Sequence, residues 1–199
     1  MWIPSGDAIR ALHERHAPSA EAFELVWTHC VIVCQIAEQV MDGGGLDVDK
    51  DLVRAGCLLH DIGVYRLYGG ASGEFDLRQY VRHGVLGHEL LRDEGFPEEI
   101  CRFCSCHTGM GLTRDDVVQQ NLPIPAADYL AESDEERIVM YADKFHSKTD
   151  PPTFVSADSY AAAVRRFGAG KAAAFRAMRE RLGEPDLVPL AADHGHTLV

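Results

Sequence analysis

The pattern of apolar and polar positions along the chain predicts an all-α protein. Ser5 or Asp7 can cap the free N–H groups of a first helix that runs to about His16, where Ala17-Pro18 interrupts it; His13 and His16 are expected to face solvent. Ser19 caps a long second helix in which Leu25, His29, Ile32, Val33, Ile36 and Val40 recur at three- and four-residue spacing along one face, so His29 points into the core. Met41-Asp42-Gly43-Gly44-Gly45 breaks that helix. Asp47 or Asp49 starts a third, whose apolar run Ala55, Cys57, Leu58, Leu59 delivers His60 and Asp61 before Ile62-Gly63 ends it. The two helices can pack antiparallel. Val64 to Asp76, rich in Gly, Tyr and Arg, is expected to be a loop.

A further helix from Phe75 or Leu77 to Glu94, stopped at Gly95, carries Tyr80, His83, Leu86, Gly87, Leu90 and Leu91 on its inner stripe. Gly87 costs helix stability and would admit the close approach of another backbone or a ligand. His88 lies about 140° round from His83 at 100° per residue and is left beside the site or at the surface. A short helix over 97–106 presents His107 at its end, before the glycine-bearing loop Thr108-Gly109-Met110-Gly111. Residues 112–133 read as a short helix and a loop over the cleft. Asp134-Glu135-Glu136 then opens a helix whose core face holds Ile138, Val139, Ala142 and Phe145 beside Asp143. Beyond Asp150-Pro151-Pro152 the composition changes. Helices around Ser156–Phe167 and Gly170–Leu182 cover the bundle or a partner copy, which leaves a homodimer open, and the tail DHGHTLV is expected to be disordered.

With 199 residues, 46% apolar and 25% charged, the chain has an ordinary globular balance and reads as one domain. The net charge of −12 would repel nucleic acid polymers and anionic membranes over most of the surface, but it leaves room for a small anionic substrate where bound dications reverse the local sign. The N-terminus MWIPSGDAIR lacks the basic-then-apolar pattern of a signal peptide, and the expectation is a cytoplasmic protein. The six cysteines lie in apolar helical stretches and read as reduced core filler. Cys101-x-x-Cys104-x-Cys106-His107 lacks a second Cys pair at zinc-finger spacing and reads as a helix.

The chemistry centres on His60-Asp61. Neighbouring helical residues diverge by about 100°, so the imidazole and carboxylate converge only on something lodged between them, and a divalent cation fits that need. Asp143, a carboxylate on or beside the buried side of its helix, also needs a paired charge. The surroundings of these residues, VWTHCVIVCQIAEQV, His60-Asp61-Ile62-Gly63, YVRHGVLGHELL, CRFCSCHTGMGL and IVMYADKFHS, resemble the HD-domain metal-dependent phosphohydrolases of His-Asp-Ile-Gly type. The likeness covers residues 20–150, and the segment from His107 to Asp143 looks like one branch of that family.

The resemblance implies an HD-type helical domain over 1–150, with the C-terminal helices of 151–199 packed on it. It further implies a metal set of His29, His60, Asp61, His83, His107 and Asp143. If His29, His60, Asp61 and Asp143 hold one ion, His83 and His107 can hold a second, with Asp61 reaching both. The thiolate-free set suits Fe, Mn, Zn, Ni or Co, one or two per chain. With one ion, His83 and His107 would instead contact substrate phosphate or donate protons. HD-type phosphohydrolases often carry a Lys soon after Asp-Ile-Gly; here Val64-Tyr65-Arg66 follows, and Arg66 is the candidate for holding a phosphate oxygen. The implied activity is hydrolysis of a phosphomonoester or phosphodiester of a small metabolite, with a nucleotide favoured, by metal-activated water and with Asp61 and Arg66 catalytic. An HD-type diiron oxygenase and a non-catalytic nucleotide-binding regulatory domain stay open beside it.

Overall fold

A computed structural model of the protein describes residues 2–44, 46–69 and 75–199. Among the described residues the protein is all-α apart from three two-residue strands. Helix α1 (Gly6–His16) starts where Ser5 Oγ accepts the Ala8 N–H, and α2 (Ala20–Gly44) where Ser19 Oγ accepts the Ala22 N–H. By length and composition α2 is apolar enough to cross a membrane, yet half of its apolar window is buried inside the protein, where it packs on α3 (Lys50–Leu59) and α7 (Asp134–Ala142). Its Ile32, Val33, Ile36 and Val40 are buried as their spacing requires.

After α3 the chain does not enter the loop expected from Val64. Residues Ile62–Leu67 wind into a 3-10 turn that buries Ile62, Val64, Tyr65 and Leu67; the central part of the anticipated loop, 70–74, lies outside the described residues. Four apolar side chains in six residues make burial the favourable course, and Gly63 lets the turn lie on α4 (His83–Asp93). A Cβ on Gly63 would stand 2.0 Å from the His83 carbonyl oxygen and 2.3 Å from the Gly87 nitrogen, so two backbones touch there with no space for a side chain. Gly87 in turn meets Cys104 of α5 (Glu98–Cys106). The helix expected from residue 75 or 77 begins as a 3-10 turn, Leu77–Arg82, and becomes α-helical only at His83. Next come α6 (Arg114–Gln119), capped by a reciprocal Thr113–Asp116 pair, and α7, capped likewise by Ser133 and Glu136.

The C-terminal quarter adds α8 (Ala157–Val164), α9 (Ala169–Leu182) and α10 (Leu187–His194), whose Phe175, Leu182, Leu187 and Ala191 enter the same core as Ile32, Val33 and Val139. The tail, expected to be disordered, is ordered. Leu187, Leu190 and Ala191 make an apolar stripe, and the parallel pairing of β2 (Thr153–Phe154) with β3 (Thr197–Leu198) satisfies the last backbone groups, including Val199 N–H on the Phe154 carbonyl at 2.9 Å. β1 (His146–Ser147) pairs antiparallel with β2 and so fixes the chain just beyond Asp143. All six cysteines are free thiols, and five are buried.

His13 also corrects an expectation: it is wholly buried. It sits beside Ile9 and Leu12 on the inner face of α1, donating from Nε2 to the Leu58 carbonyl at 2.8 Å and accepting at Nδ1 from the Tyr65 hydroxyl at 2.9 Å. Burial pushes its pKa down to about 4. An unfolded chain takes up this proton near the ordinary value, so between about pH 6.5 and 4 the unfolded state binds more protons and stability falls as pH falls. Relative to His13→Gln, the wild type is expected to lose about 3 kcal/mol on going from pH 7 to pH 4. Urea denaturation of both proteins across that range, with chelator present, checks this; parallel pH profiles would refute it.

Candidate metal centre

Five elements each deliver ligand-type side chains to one buried spot: His29 from mid-α2, His60 and Asp61 from the end of α3, His83 from the start of α4, His107 from the end of α5 and Asp143 from the end of α7. They divide into two groups that could each hold an ion, and Asp61 belongs to both. On one side, His29 Nε2 lies 3.1 Å from Asp61 Oδ2, 3.1 Å from Asp143 Oδ1 and 3.2 Å from His60 Nε2. On the other, Asp61 Oδ1 faces His83 Nε2 at 3.4 Å and His107 Nε2 at 3.6 Å, and these two nitrogens are 2.9 Å apart. Ligands 2.0–2.1 Å from a common ion stand roughly 3.0 Å apart at octahedral angles and about 3.4 Å apart at tetrahedral ones, so the spacing suits metal coordination.

The tautomers strengthen the fit. His60 Nδ1 is 2.7 Å from the Cys57 carbonyl, His83 Nδ1 2.5 Å from that of Tyr80 and His107 Nδ1 3.0 Å from that of Phe103. A carbonyl accepts only, so each Nδ1 carries its proton and it is Nε2 that is directed at the cluster as the ligand atom. Burial lowers the pKa of His83 to about 3 and lowers that of His107 as well, which holds both in the neutral ligand form. Two lone pairs therefore face each other and Asp61 Oδ1, which is buried and without a hydrogen-bond partner. A cation resolves that repulsion. His29 is oriented differently, its Nδ1 lying 2.9 Å from His146 Nδ1, and His146 Nε2 lies 3.0 Å from His196 Nδ1.

Burial alone would raise the Asp61 carboxyl, but the Lys148 ammonium and the surrounding imidazoles hold it well below the usual carboxylate range. Asp143 behaves alike, with Lys144 and its neighbouring imidazoles reversing the effect of burial. Lys144 Nζ is 2.7 Å from Asp143 Oδ2 and donates to the His107 carbonyl at 2.8 Å; Lys148 Nζ pairs with Asp61 Oδ2. Both lysines are raised rather than neutralised, because their carboxylates outweigh the cost of burial. Neither lysine was among the residues anticipated from the sequence. The available clue was composition: only four of the nineteen Lys and Arg residues are lysines, and two of them stand within five residues of Asp143.

Arg66 requires correction. It is the outward residue of the 3-10 turn, between buried Tyr65 and Leu67, and its guanidinium reaches Asp93 at 3.4 Å rather than the cleft. Lys148 lines the cavity that opens at Asp61, His83, His107 and Asp143. His88 bonds Ser105 and takes no part in the cluster.

The family model for the HD domain matches residues 26–148. The chain belongs to the HD domain family. Uncharacterized protein MJ0778 of Methanocaldococcus jannaschii is 37% identical over 123 residues, 60% of this chain and 65% of that protein. A tRNA (cytidine(56)-2'-O)-methyltransferase of Picrophilus torridus is 33% identical over 129 residues, 65% of this chain but a third of that protein. The fold is also that of the phosphodiesterase PgpH HD domain of L. monocytogenes, at a TM-score of 0.53 and 16% identity, covering 94% of this chain and 98% of that one. The same domain in complex with cyclic-di-AMP matches at a TM-score of 0.53 and 17% identity, covering 94% and 96%.

Because its ligand-type residues come from separate helices, this HD domain assembles the site only when folded. Metal at a hundredfold excess over its dissociation constant stabilises the native state by about 2.7 kcal/mol. Chelation is therefore expected to lower the melting temperature by roughly 5–10 °C. Unchanged melting after verified removal of metal would show that the cluster does not tie the bundle together.

Proposed function

We propose that the protein is a metal-dependent phosphohydrolase, a phosphomonoesterase or phosphodiesterase acting on a small cytoplasmic phosphorylated metabolite, with His29, His60, Asp61, His83, His107 and Asp143 as its metal ligands. The observation that carries this reading is Asp61, whose Oδ2 faces one ligand group and whose unpartnered Oδ1 faces the other. Two divalent ions held there would supply Lewis acidity toward a phosphoryl group and lower the pKa of a water.

The chain's own residues supply the rest. Asp61 and Asp143 stay ionised and so retain their ligand form. Lys144, bonded to both Asp143 and the His107 carbonyl, fixes one ligand group relative to the other. Lys148, charged and on the cavity wall, takes the role first given to Arg66, holding a phosphoryl oxygen and offsetting its charge. His83 and His107 also line the cavity, but their lowered pKa values make them poor proton donors at neutral pH, which favours two ions over one. The Lys148 ammonium on the cavity wall favours an anionic substrate, and hence hydrolysis, over an oxygenase. The cyclic-di-AMP complex of the PgpH domain supports a nucleotide as the phosphorylated compound.

A panel of phosphomonoesters and phosphodiesters, run with Mn, Co, Ni, Fe and Zn in and out of air, tests the reading. Phosphate ester cleavage with Mn alone in the absence of air is expected. Turnover that requires iron and oxygen, or no cleavage of any ester, would overturn it.

A further inference from the structure

The cavity at Asp61 and Asp143 has a volume of about 370 Å³, within the range that encloses a drug-sized ligand and more than a phosphate group needs. The rest of its lining is largely apolar. Met110 and Leu112 line it, as do Tyr160, Val164 and Phe167. Those last three belong to α8 and the turn after it, beyond the residues 26–148 that match the family, so this wall comes from the chain's C-terminal addition.

The wall is built to receive something. Tyr160 is braced against Phe175, their ring centroids 4.7 Å apart, and Val164 is buried. Phe167, by contrast, is 52% exposed, with the Arg166 guanidinium 4.6 Å over its ring, and a ligand ring in the cavity would cover part of that surface. Lys171, which also lines the cavity, is committed elsewhere: its Nζ binds Asp116 Oδ2 at 2.6 Å and the Gly111 carbonyl at 2.7 Å, fastening α9 to α6 and the loop before it. It offers no second anion site. A cavity holding Asp61, Asp143 and Lys148 together with this apolar and aromatic wall fits a ligand with a phosphoryl group and a flat body.

We propose that Tyr160, Val164 and Phe167 form a specificity subsite for a flat uncharged ring carried by the phosphate ester, selecting it over aliphatic or polyol phosphates. This rests on the phosphohydrolase reading for the position of the phosphate alone. Non-hydrolysable phosphonates test it without turnover: calorimetric titration of the Mn-loaded protein with ethylphosphonate, 2-phenylethylphosphonate and the 5'-phosphonate of adenosine. At least one ring-bearing compound is expected to bind about tenfold to a hundredfold more tightly than ethylphosphonate, the gain from burying one ring, and the tighter of the two identifies the ring as aryl or nucleobase. Phe167→Ser, at a half-exposed position, should remove most of that gain while leaving ethylphosphonate binding and the melting temperature unchanged. Equal binding of all three compounds, or a ring preference untouched by Phe167→Ser, would overturn the subsite and leave the phosphohydrolase reading standing. Failure of all three to bind would count against both, whereas ring-selective binding without cleavage of any ester would retain the subsite and remove the hydrolase.

Discussion

Asp61→Ala is expected to lower metal-dependent phosphate-ester hydrolysis by about a thousandfold or more, the equivalent of several kcal/mol of transition-state stabilisation at 1.36 kcal/mol per decade. The size of the effect follows from the position of the side chain. Asp61 is the one residue common to both ligand groups, so its loss removes a carboxylate oxygen from each and the negative charge that holds them side by side. It also strips Lys148 of its partner, leaving a buried ammonium uncompensated, a change that costs about 3–5 kcal/mol where buried pairs are broken. Asp61→Asn keeps the volume and an oxygen that Lys148 can still donate to: it should stay folded, bind less metal and show the same loss of rate. Steady-state rates at saturating Mn, with metal content measured on the same samples, decide the matter. A folded Asp61→Ala protein that matches the wild type would contradict the mechanism.

Gly63→Ala is expected to be the most damaging single methyl group that can be added near the site. The new Cβ would lie 2.0 Å from the His83 carbonyl oxygen and 2.3 Å from the Gly87 nitrogen, both backbone atoms that no rotamer change can move aside. The helix carrying His83 must shift away from the one that delivers Asp61. A cost of about 3 kcal/mol or more, at the upper end for overpacking, is expected, together with loss of the ion held by His83 and His107. Urea unfolding and metal stoichiometry measure the two consequences separately. An alanine protein of wild-type stability would mean that the turn and α4 are not held in contact.

The physical basis of these effects was partly legible in the sequence. His29 announces its inward direction through its spacing from Ile32, Val33 and Ile36, and His60-Asp61, His107 and Asp143 stand where apolar helical runs stop, but their convergence on one site was implied by the resemblance to the HD-domain phosphohydrolases rather than by helix periodicity. Gly87 likewise marked a close approach, though its partner at Gly63 depends on how the segment after α3 folds. That segment was misleading because a 3-10 turn advances by three residues rather than two or four, and it turns Arg66 outward between buried neighbours. Lys148 was hidden for a different reason. Its placement follows a two-residue strand that pairs with β2, which pairs with β3 more than forty residues later, and strands so short leave no periodic trace. The same pairing brings His196 to His146, and through it to His29, a contact between residues 50 and 117 positions apart that no local pattern encodes. His13 shows the limit of residue type as a guide, since an imidazole next to a carbonyl and a hydroxyl is as well satisfied inside as outside.

The shared carboxylate is tested most directly by titrating metal-free protein with Mn while recording bound metal per chain and phosphate-ester hydrolysis on the same samples. Two equivalents should bind, with hydrolysis rising as the second site fills. Full activity at one equivalent, or no uptake of Mn at all, would contradict the account.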